Sequence, residues 1–303
     1  MRFPVFEMER MQSTWEHRVR YDLSESGVEP LTLAEVLDIA GGSAPSHPRS
    51  DIAGGSLDDV RLGYAEGTGR EETRALIAAL HSGASADDVL VTTGTSEANF
   101  LCLMTLVERG DEVVVVMPNY MQLHGLARGL GATVREVWLH EDQGWRLDLD
   151  RLRAAMSRRT KVVCVCTPNN PTGQILEAAE LDEIARVAAA SGAWVLSDEV
   201  YRGAEHDAVE SASFWGRYER TIVTGGLSKA YGLPGLRIGW IVAPPERIAA
   251  ASAMKDYTTI APATLSELIA ATGLRRREEL LARPRGLLNA RWPVLETWAR
   301  AHR

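Results

Sequence analysis

"DEVVVVMPNYMQLHGLARGLGATVREVWL", residues 111–139, decides the fold. Its opening run of four valines, bounded by acidic residues and a proline, reads as a strand buried on both faces. "YMQLHGLARGLG" follows with apolar residues at helical spacing and a closing glycine. "ATVREVWL" reads as the next strand. Short valine-rich runs separated by amphipathic helices indicate a parallel sheet with helices on both faces.

The same alternation extends in both directions. "DDVLVTTG" (87–94), "KVVCVCT" (161–167), "AWVLSDE" (193–199) and "RTIVTGG" (220–226) read as strands. "SEANFLCLMTLVERG" (96–110), "LDRLRAAMS" (149–157) and "AAELDEIARVAAASG" (178–192) read as helices. The fold class is therefore α/β, with a mostly parallel central sheet, and such sheets bind ligands at the carboxyl ends of their strands. The beginning of the chain is different. "DIAGGS" occurs at 38–43 and again at 51–56, with Pro45 and Pro48 between, and reads as loop. The duplication is too short to be an architectural repeat. "REELLARPRGLLNARWPVLETWARAHR" (277–303) reads as a long helix interrupted near Pro284.

Composition excludes several functions. The 303 residues carry a net charge of −8, with 45% hydrophobic and 24% charged residues. That acidity argues against nucleic acid and against a membrane surface. No apolar run approaches the roughly 18 residues that span a bilayer. The first ten residues, "MRFPVFEMER", lack the apolar centre of a signal peptide. Three cysteines without regular spacing give neither a disulfide framework nor a zinc site, so a cytoplasmic location is expected. The seven histidines form no ligand spacing, and no metal is expected.

The strand ends carry the chemistry. They bring Gly94, Thr95 and Ser96, then Tyr120, Asn170, Asp198 and Tyr201, then Ser228 and Lys229 to one sheet edge. Each has a plain reading alone. Ser96 or Thr95 would cap a helix, with Glu97 favouring its dipole. "NNPTG" would be a turn, Asp198 a strand-end acid, the tyrosines core aromatics and Lys229 a solvated charge. Arg237, within "LRIGW", reads as a guanidinium interrupting an apolar strand, where it would need an anionic partner. Together they describe something more specific. A buried lysine amine forms a Schiff base with a carbonyl. Helix amides at Ser96 and the fork of Arg237 suit a phosphate. Asp198 suits a protonated pyridine nitrogen, Asn170 and Tyr201 a phenolate oxygen, and Tyr120 a ring face. That inventory is the one pyridoxal 5'-phosphate needs.

"GGLSKAYGLPGLRIG", with "NNPTG" and "SDEVY" upstream, resembles the lysine signature of the class I/II aminotransferases, pyridoxal-phosphate enzymes of fold type I. Small residues stand at lysine −3, −1, +3, +6 and +10 as Gly226, Ser228, Gly232, Gly235 and Gly239, with Arg237 at +8. The resemblance implies that Lys229 bonds the cofactor, Asp198 pairs with its ring nitrogen, Asn170 and Tyr201 bond its ring oxygen, and Tyr120 stacks on it. It implies that Gly94, Thr95, Ser96 and Arg237, with Ser228 beside them, hold the phosphate. Tyr64 in "LGYAEGTG" would reach the phosphate of a neighbouring subunit, which implies a homodimer with shared sites. Ser26 and Gly27 in "SESGV" (24–28) would contact the substrate. Lys229, Asp198 and Tyr201 form the implied catalytic set.

The implied organisation is an N-terminal segment over the substrate site (1–50), a large cofactor-binding domain (51–265), and interdomain helices opening an incomplete small domain (266–303). One departure is Gly226, where the family often has a phosphate-binding serine. Another is the substrate-carboxylate arginine of the family's small domain, a role that no residue here takes. The implied activity is transfer of an amino group between an L-amino acid and a 2-oxo acid, with Lys229 as general base in cationic surroundings. "YDLSESGV" and "LSKAYGLPGLRIGW" are also similar to the capreomycidine synthase-like members, which eliminate and cyclise a hydroxyarginine. A third reading is a shortened cofactor-binding protein without full activity. A dinucleotide site is disfavoured, because no G-x-G-x-x-G follows the first strand.

Overall fold

The structure is a computed structural model that describes residues 3–39, 60–207 and 209–302. The "DIAGGS" copies lie outside the described residues, apart from Asp38 and Ile39. Strands β1 (Val89–Thr93), β2 (Glu112–Met117), β3 (Thr133–Trp138), β4 (Thr160–Cys166), β5 (Trp194–Asp198), β6 (Thr221–Gly226) and β7 (Ile238–Val242) form one sheet in the order β1-β7-β6-β5-β4-β2-β3. The neighbours β3, β2, β4, β5 and β6 run parallel, while β7 runs antiparallel to both β6 and β1. The mixed α/β fold with helices on both faces is the one expected.

The valine runs explain the sheet's position. Every residue of β2 is buried, because alternate side chains enter two separate cores. Val114 and Val116 join Val163, Val195 and Val223 on one face, against α3 (Glu71–Ala78), α7 (Ala178–Ser191) and α9 (Thr264–Arg275). Val113 and Val115 join Val162, Leu196 and Ile222 on the other, against α4 (Thr95–Leu106), α5 (Gln122–Leu130) and α8 (Pro245–Lys255). Edge strand β3 is mostly exposed, and its Arg135 pairs with buried Glu112 at 3.0 Å. Helix α6 (Leu149–Ala155) is capped by Asp148, whose carboxylate accepts from the amides of Asp150 and Arg151.

Two expectations need correction. Arg237 does not interrupt a strand. It ends the short 3-10 turn Pro234–Leu236 in a left-handed conformation (φ 53), and β7 begins one residue later. Because β7 is antiparallel, its beginning lies at the carboxyl edge of the parallel strands, and Arg237 is exposed there. The C-terminal helix α10 (Arg277–Ala301) is continuous through Pro284 and Pro293. Pro284 is buried with Leu280 and Leu281, so packing on the core offsets the lost backbone bond. Two short helices, α1 (Glu7–Trp15) and α2 (Leu33–Ile39), flank the segment that carries Ser26 and Gly27.

Candidate active site

A cleft of about 550 Å³ opens at the carboxyl edge, between the N-terminus of α4, the ends of β4, β5 and β6, and α1. Its wall includes Thr95, Ser96, Tyr120, Asn170, Asp198, Tyr201, Ser228, Lys229 and Arg237, together with Ser26 from the N-terminal segment. Gly94 is the N-cap of α4, immediately behind Thr95. Gly27 lies against the Lys229 side chain, where an added Cβ would stand 3.7 Å from the lysine Cδ. Tyr64 is apart from the cleft and 91% exposed.

Asp198 ends β5 and is buried. Its Oδ2 accepts from Asn99 Nδ2 at 3.0 Å and its Oδ1 from the Val200 amide at 3.1 Å. Burial pushes the carboxyl above its ordinary value, against the pull of those two donors. The Asn99 carbonyl accepts from Thr224 Oγ1 at 2.9 Å, so one amide ties α4 to both β5 and β6. Asn99 is a site residue that the motifs did not point to. Its signal in the sequence was a polar side chain on the apolar face of "SEANFLCLM".

Tyr201 donates to Ser26 Oγ at 2.7 Å and accepts from Asn170 Nδ2 at 3.2 Å. Tyr120 donates to Glu9 of α1, and its ring lies 5.1 Å from that of Phe6. Burial pushes both phenols above their ordinary range, and the Glu9 carboxylate adds to the effect at Tyr120. Both hydroxyls therefore stay protonated as donors at neutral pH.

The Lys229 amine donates to Glu25 Oε1 at 2.8 Å. The cationic surroundings expected of this lysine are corrected here, since the nearest charge is a carboxylate from "SESGV". Arg237 Nη1 reaches Ser228 Oγ at 3.4 Å and the Pro234 carbonyl at 2.9 Å. Its expected burial beside an anion is not what the structure has. The guanidinium instead lines the cleft next to Ser96 and the first turn of α4.

The α4 N-terminus also departs from expectation. Neither Ser96 nor Thr95 caps it; the N-cap is Gly94, without a side-chain cap bond. The Thr95 hydroxyl donates across to the Gly225 carbonyl at 2.9 Å. Glu97 accepts from the Thr93 amide at 2.6 Å. The glycines follow from this close approach. A Cβ on Gly226 would fall on the Thr95 hydroxyl, and one on Gly239 would fall inside the Gly94–Thr95 backbone. The departure from serine at position 226 thus has a steric cause. The α4 N-terminus packs directly on Gly226 and Gly239, with no room for a side chain between.

The family described as "Aminotransferase class I and II" matches residues 56–291. The chain belongs to that family. It is 34% identical over 264 residues to "Capreomycidine synthase" of Streptomyces vinaceus, covering 87% of this chain and 66% of that protein. It is 29% identical to "Aromatic-amino-acid aminotransferase 2" of Thermococcus litoralis, covering 82% of this chain and 69% of the other. A solved PLP-dependent aminotransferase from Streptococcus suis 89-1591 superposes with a TM-score of 0.89 at 32% identity, over 98% of this chain and 78% of that one. The chain thus spans about two thirds of the length of these curated relatives. The fold type I architecture is shared with the solved relative.

Proposed function

We propose that this aminotransferase-family chain binds pyridoxal 5'-phosphate and moves an amino group between an L-amino acid and a 2-oxo acid. One observation carries the reading: the Lys229 amine and the buried Asp198 carboxylate face one cleft at the carboxyl edge of the sheet. The residues fit the group. The first turn of α4, with Thr95 and Ser96, Ser228 and Arg237 line one end of the cleft and suit a phosphate, Gly226 and Gly239 letting that turn pack close to the sheet edge. Lys229 would hold the aldehyde carbon, Asp198 the ring nitrogen, and Asn170 and Tyr201 the ring oxygen. Tyr120 would cover one ring face.

When bound, the cofactor supplies an electron sink for the pair left on the substrate α-carbon. The chain's own groups do the rest. Asp198 keeps a positive charge on the ring nitrogen. Asn170 and Tyr201 are neutral donors that fix the ring's orientation. Lys229 is the general base that takes the α-proton and returns it. Ser26 and Gly27 form the substrate-side wall. Exposed Tyr64 is proposed to reach the phosphate site of a second copy, in a homodimer of the cytoplasm.

The test is a half-reaction screen of amino acids on cofactor-loaded protein, followed by absorbance and by product mass. Release of the matching 2-oxo acid is expected. The likeness to capreomycidine synthase favours a second reading, elimination with cyclisation on the same residues. That chemistry would release no 2-oxo acid and need no amino acceptor.

A further inference from the structure

The carboxylate beside Lys229 has no part in the scheme above. Glu25 Oε1 stands 2.8 Å from Lys229 Nζ. Its side chain is 51% exposed, against 27% for the lysine, so the carboxylate touches the amine on one side and water on the other. It is also held in place. The Gly27 amide donates to the same oxygen at 2.6 Å, and a Cβ at Gly27 would crowd that oxygen to 2.9 Å. Ser26 is tied to Tyr201 at 2.7 Å, and the Leu31 amide donates to the Gly232 carbonyl at 3.1 Å, three residues past the lysine. Asp22 accepts from Ser24 at 2.8 and 2.7 Å on the other flank. On its C-terminal side the loop is therefore docked against Tyr201 and the turn that presents Lys229, and on its N-terminal side the Ser24 carbonyl accepts from Gln12 of α1 at 3.1 Å.

We infer that Glu25 is the proton partner of Lys229, passing protons between the lysine amine and solvent during the reaction. The inference rests on the functional reading above. The Lys229 amine takes the substrate α-hydrogen as a proton, leaving the electron pair on carbon, and becomes an ammonium. That ammonium gives its proton to the Glu25 carboxylate, which becomes the acid, while the amine is neutral again. The acid releases its proton to water, and a water proton returns by the same route. Burial works against ionisation of Glu25, but the hydrogen bond and charge of Lys229 outweigh it and hold the carboxyl below its ordinary value. It is therefore an ionised acceptor at rest. The consequence is a site that exchanges the substrate α-hydrogen with solvent instead of conserving it.

The experiment follows that hydrogen in heavy water. Cofactor-loaded protein is given an amino acid, and deuterium in the recovered amino acid is compared with product formed. In Glu25→Gln the ratio of exchange to product is expected to fall about a hundredfold, the lower end of acid–base effects. Glu25→Asp, which keeps a shortened carboxylate, should restore part of it. A second readout needs no cofactor. Acylation of Lys229 by an amine-directed reagent, read by peptide mass, should be faster in Glu25→Gln, where the ion pair is gone. An unchanged exchange ratio or an unchanged Lys229 acylation rate overturns the inference. So does wild-type protein that forms product without exchanging the α-hydrogen, and in that case the functional reading stands. Wild-type protein that takes up no cofactor defeats both.

Discussion

Asn99→Ala tests how the buried acid is kept ionised. Asp198 has two donors, and Asn99 supplies one of them at 3.0 Å in a fully buried setting. A hydrogen bond to a charged acceptor contributes about 1.5–3 kcal/mol. Removing it penalises the carboxylate and not the protonated acid, so the already raised Asp198 rises further. The sign follows. Pairing with the cofactor ring needs the carboxylate, so affinity is present above the pKa of Asp198 and is lost as pH falls through it. In Asn99→Ala that loss begins at a higher pH. Where the variant acid is protonated and the wild-type acid is ionised, affinity should drop by up to about ten- to a hundredfold, at 1.4 kcal/mol per decade. At alkaline pH the two proteins should converge. The assay is titration with pyridoxal phosphate, followed by absorbance, from about pH 5 to about pH 9, with thermal melts to confirm folding. An affinity ratio that is constant across pH would refute the reasoning, because it would mean that Asn99 acts by shape and not through the charge of Asp198.

Gly226→Ser, which restores the family's commoner residue, should cost about 1–3 kcal/mol of stability, because its Cβ meets the Thr95 hydroxyl; a denaturant melt checks this. Arg237→Gln should weaken binding of pyridoxal phosphate much more than that of pyridoxal, as measured by parallel titrations; equal losses would remove Arg237 from the phosphate site. Glu199, buried with its Oε2 unpartnered, is pushed by burial up to about 7. The stability it allows is fully present below the ordinary value of 4.5 and is lost as pH rises through about 7. Glu199→Gln should therefore be about 1–3 kcal/mol more stable than wild type at pH 8 and no more stable at pH 4, by denaturant melts at both.

The parallel core was legible because Val113–Val116 and Val162–Val165 must be apolar on both faces, a pattern that a half-exposed strand does not need. The direction of β7 was not, because five apolar residues carry no sign of parallel or antiparallel pairing. Arg237 was misplaced into a strand because the turn Pro234–Leu236 that ends on it, in a left-handed conformation, leaves no mark in the apolar run that follows. Pro284 looked like a break because the burial that holds α10 together is tertiary. The motif residues could be brought to one edge from the α/β pattern alone. Glu25 and Asn99 could not, since their partners lie 204 and 99 positions away and only the folded chain pairs them.

The central claim is that Lys229 is the covalent anchor of the cofactor. Reduction of the pyridoxal phosphate-loaded protein with borohydride, followed by peptide mass mapping, tests it most directly. One phosphopyridoxyl increment is expected, carried by the peptide containing Lys229 and absent from Lys229→Ala. A reduced adduct on another lysine, or the same adduct surviving in Lys229→Ala, would contradict it.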